Sequence, residues 1–403
     1  MTASDRTPGL RGLPAVRDGC PFDPPSAYGR LREERPVSRV TLWDGSRPWL
    51  LTRHEDARTV LGDLRFSADS SRPGFPFHSP SREALTSTGR SLTRMDDPEH
   101  ARLRRCLTKE FTLKRIESLR PEIQRIADGC VDTMARHSPP GDLVAEFALP
   151  FPSMVICLLL GVPYDDHAFF QELSRVLLDQ RSSAEDVRRS RDELTDYLGG
   201  LTASKARSPD EAIISGLVAA GELDHEQIVT LARLMVVAGH ETSANMIALG
   251  TLALLRNPAQ LAAVRADSSL VRGAVEELLR YLTVVQYGIP RLALQDVMVG
   301  GQLIRAGEGV LVSLSAANRD ASVFDRSDEL DVRRNARPHL AFSFGVHQCL
   351  GHSLARVELQ VAWETLNRRL PELRLATRFE SLRYFQDAIV YGIAELPVSW
   401  GER

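Results

Sequence analysis

Apolar residues recur every three or four positions along much of the chain, a spacing that predicts amphipathic α-helices. Helices are predicted at residues 27–34, 120–136, 165–180, 184–201, 225–256, 270–282 and 352–370. The helix at residues 225–256 is unusually long: Asp224 is a suitable N-cap, Gln227 completes a capping box, and Pro258 ends the helix. At 1.5 Å per residue it would span roughly 48 Å, enough to cross a whole domain.

Short runs of β-prone residues form a second pattern. Strands are predicted at residues 37–42, 49–52, 297–299, 302–304 and 309–313, and again within the tail at residues 382–400. Residues 67–91 are rich in Ser, Pro and Gly and predict a long loop. Because no repeat or linker divides the chain, we expect a single domain over residues 1–403, mainly α with a small β portion. Residues 1–20 are expected to form an irregular lead-in.

Composition and charge narrow the classes of function. The 403 residues include 50 basic and 53 acidic side chains, a net charge of −3 at pH 7, so neither nucleic acid nor an anionic membrane would attract the chain. The N-terminus lacks the apolar run of a signal peptide. The most apolar stretch, residues 231–255, contains Arg233, His240 and Glu241, which would be costly in a bilayer. We therefore expect a cytoplasmic protein with no membrane or nucleic-acid partner.

The five cysteines lie at positions 20, 106, 130, 157 and 349. An odd number without CxxC spacing argues against a disulfide framework or a structural zinc site. Cys349 differs from the others because it lies just before a predicted helix, between Gly345 and Gly351. The free N–H groups of a helix N-terminus favour a thiolate, and the two glycines allow the backbone to approach a flat ligand closely.

Residues 342–351, Phe-Ser-Phe-Gly-Val-His-Gln-Cys-Leu-Gly, resemble the haem-binding loop of the cytochrome P450 family, and the pattern is highly specific. The resemblance covers nearly the whole chain and is strongest to actinobacterial members, with small departures at Ser343 and Val346. It implies the P450 fold, with a long central helix over the haem, and haem b (iron protoporphyrin IX) as cofactor with Cys349 as the axial ligand of its iron. The loop residues that it assigns to the cofactor are Phe342, Gly345, His347, Cys349 and Gly351.

The middle of the longest predicted helix carries Ala238-Gly239-His240-Glu241-Thr242. Polar residues are uncommon at the most buried point of a helix, although Thr can hydrogen-bond the carbonyl one turn back and Gly allows the helix to widen. The family resemblance implies that Ala238 and Gly239 border the haem and leave an opening for oxygen. It also implies that Glu241 and Thr242 are the catalytic acid–alcohol pair that delivers protons.

Glu277 and Arg280 lie three positions apart on the helix predicted at residues 270–282, where such a pair is an ordinary salt bridge. Between the long helix and the cysteine loop, the pair resembles the Glu-x-x-Arg motif of the family. Its implied role is structural, and Arg334 is a candidate third member.

Two haem propionates need cationic partners, and the guanidinium fork of Arg suits them best. The helix that Asp97-Pro98 begins places His100 and Arg104 four residues apart on one face. Further propionate candidates, by their positions in the family order, are Arg291, His339 and His347.

The resemblance implies a monooxygenase that inserts one oxygen atom from O2 into a hydrophobic small molecule of secondary metabolism, such as a polyketide or macrolide, a terpenoid or a sterol-like compound. The chain has neither a nicotinamide-binding motif nor a cysteine set for an iron–sulfur cluster, so electrons from NAD(P)H would arrive through a separate ferredoxin and ferredoxin reductase. A candidate docking patch for ferredoxin comprises Arg102, Arg105, Lys109 and Arg115. Candidate substrate contacts are Met235, Ala238, Val284, Val285, Ile289 and Ile389. A monomer is the family default.

Two alternatives stay open at this stage. A peroxide-driven P450 peroxygenase would typically lack the acid–alcohol pair, which Glu241 and Thr242 retain. A non-catalytic haem sensor or electron carrier would need a second strong iron ligand, and His240 is the nearby candidate although its helical phase differs. The same scaffold also supports coupling, epoxidation or N-oxidation.

Overall fold

The structure, a computed structural model, describes residue 13, residues 15–84 and residues 91–401. Within these residues the α-helices are α1 Ser26–Glu34, α2 His54–Gly62, α3 Pro80–Ala84, α4 Glu99–Thr108, α5 Leu113–Ser118, α6 Arg120–Ala135, α7 Pro150–Leu160, α8 His167–Leu178, α9 Ala184–Arg207, α10 Ile213–Ala220, α11 His225–Arg256, α12 Pro258–Ala266, α13 Val271–Leu282, α14 Leu314–Ala317 and α15 His352–Arg369. The strands are β1 Val37–Arg39, β2 Trp49–Leu51, β3 Phe66–Ser67, β4 Gly141–Asp142, β5 Ile289–Ala293, β6 Val297–Val299, β7 Gln302–Ile304, β8 Gly309–Val312, β9 Arg374–Leu375 and β10 Pro397–Ser399. The predicted mainly α architecture with a small β portion is confirmed.

Every predicted helix is present, with ends within two residues of the prediction except at α9. The strand predicted at residues 37–42 ends at residue 39, and the tail predicted to form strands at residues 382–400 contains β10 and isolated bridges. Helix α11 has the predicted bounds, whereas α9 continues six residues beyond the predicted end. The helices that were not predicted are α2, α3, α5, α7, α10, α12 and α14. Most residues of α7 are buried apolar side chains, so its sequence carries no polar–apolar period.

Two predicted irregular segments are only partly described. The lead-in predicted at residues 1–20 lies mainly outside the described residues, and those of its residues that are described form no helix or strand. The loop predicted at residues 67–91 contains α3, and its residues 85–90 lie outside the described residues.

A five-stranded sheet in the order β1-β2-β8-β5-β3 flanks the helices. Strand β5 pairs antiparallel with β8, where Arg291 lies opposite Val310, and β8 pairs parallel with β2. Arg291 is therefore fixed by a strand that is paired on both edges. Two smaller sheets, β4-β10-β9 and β6-β7, complete the β portion.

Helix α11 runs through the largest hydrophobic cluster of the protein. The predicted capping box is present, since the Asp224 carboxylate accepts a hydrogen bond from the Gln227 amide at 2.8 Å and the Gln227 side chain binds the Asp224 amide. Farther along, a Cβ at Gly250 would lie 2.3 Å from the Trp363 ring. Glycine at this position therefore lets α15 approach α11 closely.

Among the described residues, no single helix is both long and apolar enough to cross a membrane. Helices α11 and α12 meet that criterion only as a pair, and the chain bends by 105° between them.

The Glu277–Arg280 pair is completely buried. Arg280 donates to the Glu277 carboxylate at 2.7 and 2.8 Å and to the carbonyl oxygens of Asn318 and Ser327 at 2.9 and 2.7 Å. Arg334 donates to the same carboxylate at 3.1 Å. The predicted third member is thus present, and the three side chains hold α13 against the segment that leads to the cysteine loop.

We expect Arg280→Ala to lower the free energy of unfolding by about 3 kcal/mol or to prevent soluble expression. The buried Glu277 carboxylate would lose the positive charge and the two hydrogen bonds that Arg280 supplies. Chemical denaturation followed by circular dichroism measures the loss. The control is Arg125→Ala, which removes an exposed Glu122–Arg125 pair of the same spacing and should leave the denaturation midpoint nearly unchanged. Equal losses in the two variants would contradict the structural role of the buried pair.

Candidate active site

The loop before α15 presents the Cys349 sulfur on a tightly held turn. The Gln348 amide donates to the Gly345 carbonyl at 3.0 Å, and the Cys349 amide donates to the Phe342 carbonyl at 2.9 Å. Gly345 has φ +75°, and a Cβ there would lie 2.3 Å from the Leu61 carbonyl oxygen. Only glycine fits this turn, so the loop is held closely against α2.

The surroundings of the Cys349 thiol work in two directions. The side chain has accessible surface but is closely surrounded by protein, and this desolvation raises the pKa of the thiol. A hydrogen bond from the Gly351 amide and the charges of Arg104 and Arg356 oppose the rise. A metal ion on the sulfur would favour the thiolate outright.

One face of α11 is uncovered in the middle of the core. Ala238 is exposed although most of the helix around it is buried, and Thr242 follows one turn later on the same face. The Thr242 hydroxyl donates to the Ala238 carbonyl at 2.9 Å. This face can therefore border a flat ligand and offer it a hydroxyl oxygen.

His240 lies on the other side of α11. Its ring is 1% exposed, and Nδ1 donates to the Val236 carbonyl at 2.7 Å. Burial lowers the pKa of His240 to about 4, so the ring is neutral at pH 7. These contacts give no support to His240 as a second iron ligand on the face of Ala238.

Glu241 is a carboxyl group suited to exchange protons near neutral pH. Burial raises its pKa to about 7, against the opposing effects of Arg175 and of a hydrogen bond from Asn245. Asn245 Nδ2 donates to the Glu241 carbonyl at 2.8 Å and lies 3.4 Å from its carboxylate. A Cβ at Gly392 would lie 1.6 Å from Asn245 Oδ1, so Asn245 can hold Glu241 only because residue 392 is glycine.

A second buried acid, Glu358 on α15, lies behind this helix and was not predicted from the sequence. Ser243 donates to Glu358 Oε2 at 2.6 Å, while Glu358 Oε1 has no partner in the described part of the chain. Burial raises the pKa of Glu358 to about 8, so this carboxyl group is protonated at pH 7. An acid on the apolar face of α15 was the signal that could have revealed it.

Four basic side chains meet beside the cysteine loop. The His100 and His347 rings lie 4.1 Å apart, and Arg104 donates to the Gln348 carbonyl at 2.7 Å. Burial, together with the charges of Arg291, His100 and Arg104, lowers the pKa of His347 to about 3. We call His100, Arg104, Arg291 and His347 the cation cradle.

The cation cradle contains donors that lack partners within the described residues. Arg291 is 4% exposed; its Nη1 donates to the Pro290 carbonyl at 2.8 Å, whereas Nη2 has no partner. His100 Nε2 is also buried and unpartnered. Burial lowers the pKa of Arg291 to about 10. A ligand with two acidic groups would satisfy these atoms, as the propionates of haem do.

His339 has a different place from the one predicted. Its Nε2 donates to Glu276 at 3.1 Å, and its Nδ1 accepts a hydrogen bond from the Ala341 amide at 3.0 Å. Glu276 also binds Arg356 at 2.6 and 2.9 Å. Although burial opposes the shift, hydrogen bonds from His339 and Arg356 lower the pKa of Glu276 to about 2. Both ring nitrogens of His339 are used within the protein, so it is not part of the cation cradle.

The predicted substrate contacts lie in adjoining segments. Residues 284–289 run beside residues 388–391 and are joined to them by the bridge between Val285 and Val390. The contacts that this pairing brings together are Val284, Val285, Ile289 and Ile389. Met235 is buried on α11, three residues before Ala238.

An accessible cysteine before a helix, with a cation cradle beside it, is the arrangement that a haem-thiolate protein requires. The sequence model of the family described as Cytochrome P450 matches residues 30–370. The chain belongs to the cytochrome P450 family and is a P450 monooxygenase, and haem is the cofactor of this family.

Similarity to individual P450s extends over the whole chain. The chain is 59% identical over 403 residues to Cytochrome P450-SU2 of Streptomyces griseolus, covering 99% of this chain and 100% of the relative. It is 46% identical over 407 residues to Vitamin D3 dihydroxylase of the same species, with coverage of 99% and 100%. The crystal structure of GfsF is 45% identical, with a TM-score of 0.91 and coverage of 97% and 100%. That of MycCI from Micromonospora griseorubida, a mycinamicin VIII C21 methyl hydroxylase bound to mycinamicin VIII, is 39% identical, with a TM-score of 0.92 and the same coverage.

We expect Arg291→Ala to accelerate haem loss about tenfold or more, because it removes a charge-assisted hydrogen bond to a carboxylate. Transfer of haem to an excess of apomyoglobin measures the rate. Arg291→Lys should recover part of the retention, and Arg65→Ala, at an exposed arginine paired with Asp63, should have no effect. An unchanged rate in Arg291→Ala would remove this residue from the cation cradle.

Proposed function

We propose that this P450 holds haem b through Cys349 and inserts one oxygen atom from O2 into a hydrophobic small molecule. Bound haem supplies oxygen activation at the iron, which the thiolate ligand promotes by donating electron density. The observation that carries the proposal is the cation cradle, with its unpartnered donors, beside the loop of the accessible Cys349 thiol. The uncovered α11 face at Ala238 supports it.

The roles of the remaining loop and cradle residues follow from their contacts. Phe342 and Gly345 hold the loop conformation, and the Gly351 amide donates to the sulfur. Arg104 and Arg291 of the cation cradle would neutralise the two propionates, and Arg291 and His100 would contribute their unpartnered nitrogens. Ala238 would border the haem on the side where oxygen binds. Gly239, for which the same role was predicted, packs against α7 instead, because a Cβ there would lie 3.0 Å from the Ile156 side chain.

Glu241 and Thr242 would supply protons on the oxygen side of the haem. With a pKa of about 7, the Glu241 carboxyl can take up and release a proton at neutral pH. The Thr242 hydroxyl hydrogen is directed to the Ala238 carbonyl, which leaves the hydroxyl oxygen free to accept a hydrogen bond. This pair favours an oxygen-dependent monooxygenase over a peroxide-driven peroxygenase.

The substrate class is inferred from the apolar segments and from the relatives. Val284, Val285, Ile289 and Ile389 form an apolar wall, which suits a macrolide or other polyketide, a terpenoid or a sterol-like molecule. Relatives include pentalenic acid synthase of Streptomyces avermitilis, 48% identical, and 20-oxo-5-O-mycaminosyltylactone 23-monooxygenase of Streptomyces fradiae, 40% identical.

Electrons from NAD(P)H arrive through ferredoxin reductase and a ferredoxin that docks at α4. Arg102 is paired with Glu99 at 2.8 Å, and Arg115 lies 3.9 Å from Glu110. Arg105 and Lys109 are exposed and form no salt bridge with any described residue. Their charges are therefore more available to an acidic partner than those of Arg102 and Arg115. Because α4 also carries Arg104, which contacts the cysteine loop, a partner bound there would deliver electrons close to Cys349.

The proposed function is tested by optical titration of the purified ferric protein with a library of macrolides, terpenoids and sterols. We expect at least one compound to shift the Soret band from low-spin to high-spin by displacing an axial water. With that compound, NADPH, ferredoxin and ferredoxin reductase should yield a product heavier by one oxygen atom derived from 18O2. A folded protein that binds no haem, or faster turnover with peroxide than with ferredoxin, would contradict the proposal.

The docking surface is tested in the same assay with a charge reversal. Arg105→Glu should raise the KM for ferredoxin while leaving chemical reduction by dithionite unchanged. Arg189→Glu, at an exposed arginine on α9, is the matched control. Unchanged turnover in Arg105→Glu would place the ferredoxin elsewhere.

The pKa of Glu241 predicts how the yield of product per NADPH changes with pH. Below pH 7 the carboxyl is protonated and can donate, whereas above pH 7 it is ionised. We expect the product formed per NADPH consumed to fall as pH rises through about 7. Glu241→Gln should give a lower yield without this step, and Thr242→Ala should lower the yield while keeping the step. A pH step that persists in Glu241→Gln would assign the titration to another group.

A further inference from the structure

A second pair of arginines lies away from the cation cradle, in the chain before α4. Arg82, on α3, donates from Nη2 to the Leu177 carbonyl near the end of α8 at 2.9 Å. Arg94, in the 3-10 turn Leu92–Arg94, lies with its Nη1 3.4 Å from the Arg82 carbonyl. Both side chains are partly buried. We call them the arginine pair.

The arginine pair lies beside the segments that carry the apolar substrate contacts. His78, just before α3, hydrogen-bonds the Gly288 carbonyl at 3.0 Å. The end of α8, which Arg82 contacts, accepts a hydrogen bond at the Leu178 carbonyl from the Ile389 amide at 3.1 Å. Both segments of the apolar wall, residues 284–289 and 388–391, are thus in contact with the elements around Arg82.

The charge of Arg94 is not compensated by a carboxylate of the described residues. Arg94 forms no salt bridge with a carboxylate in the described part of the chain, and residues 85–90 include no Asp or Glu. Burial lowers the pKa of Arg94. Burial, with the charge of Arg94 added, lowers the pKa of Arg82 to about 9. Burial and both arginines lower the pKa of His78 to about 4, so the histidine is neutral at pH 7.

Buried arginines that serve the fold have different surroundings. Arg280 is paired with Glu277, and Arg319 with Asp23 and Asp328. Arg291 does lack a salt bridge to a carboxylate, and its free nitrogen faces the site proposed for a haem propionate. A guanidinium that is desolvated without a carboxylate is stabilised most by an anion that reaches it. Arg94 has this property at the substrate side of the site.

We propose that Arg94, with Arg82 beside it, binds a carboxylate of the substrate, so that the substrate is a hydrophobic molecule carrying one acidic group. This inference rests on the proposed function, since it concerns the same substrate site. The guanidinium donates two parallel hydrogen bonds to the carboxylate, and the low local dielectric strengthens them. The apolar wall takes up the rest of the molecule, and the ion pair fixes which end of it faces the haem.

The experiment compares each acid with its own methyl ester, which keeps the skeleton and removes the charge. The probes are dodecanoic acid, retinoic acid, abietic acid and naproxen, each with its methyl ester. Equilibrium dialysis against the haem-loaded full chain at pH 7.5 measures Kd without requiring a spectral change, and the Soret band is recorded in parallel. We expect the acid of at least one pair to bind about tenfold or more tightly than its ester.

The variants assign that preference to the arginine pair. Arg94→Gln should abolish the preference for the acid while leaving the Kd of the ester within about twofold. Arg94→Lys keeps the charge without the planar fork and should retain part of the preference. Arg189→Gln, at the exposed arginine that pairs with Asp186, is the matched control and should behave as the parent chain. Haem content and melting temperature verify that each variant is folded.

Two results would overturn the inference: no acid preferred over its ester in any of the four pairs, or a preference that Arg94→Gln leaves intact. Either result leaves the proposed function standing if the protein binds haem and an ester or another neutral ligand. A folded protein that binds no haem would instead overturn the proposed function. An acid preference that persists in such a protein would still support the carboxylate site, because dialysis does not depend on the cofactor.

Discussion

Two adjacent acids on α13 hold the chain on both sides of the cysteine loop. Glu277 binds Arg280 and Arg334 and thereby fixes the segment before the loop. Glu276 binds His339, also before the loop, and Arg356 on α15 after it. Because charge-assisted hydrogen bonds are short and directional, one turn of α13 determines where both ends of the loop lie. The position of Cys349 therefore depends on this arrangement as well as on the loop's own turn.

Buried charges fall into two groups in this protein. Those that support the fold, such as Arg280 and Glu276, have partners on several sides. Those proposed to bind ligands, such as Arg291 and Arg94, are desolvated without a salt bridge to a carboxylate in the described residues. Burying a charge without a partner costs free energy. The rest of the folded structure must therefore offset the cost of the second group. In the proposed function, these donors are already in place when the ligand binds and need no rearrangement.

The sequence predicted features whose determinants are local. The cysteine loop could be recognised because its glycines and cysteine lie within ten residues, and α11 because its caps and apolar period lie within its own length. The partner of His339 could not be predicted, because Glu276 lies 63 residues away and nothing near His339 indicates it. Helix α7 was not predicted because it is buried on nearly all sides, so its sequence lacks the polar face by which an amphipathic helix is recognised. The arginine pair is likewise a product of tertiary folding, as α3 and the turn before α4 meet only in the folded chain.

The close approach of Gly392 to Asn245 gives the C-terminal tail an influence on the long central helix. Asn245 is the side chain that steadies Glu241, and it occupies the space that any larger residue at position 392 would claim. A side chain there would displace the amide and change the acidity of a group about 150 positions earlier in the chain. Under the proposed function, the tail would therefore influence proton delivery through Glu241 as well as contribute Ile389 to the apolar wall. If Glu241 delivers protons as proposed, a change in the tail that is meant to alter substrate choice would also alter the amount of product formed per oxygen consumed.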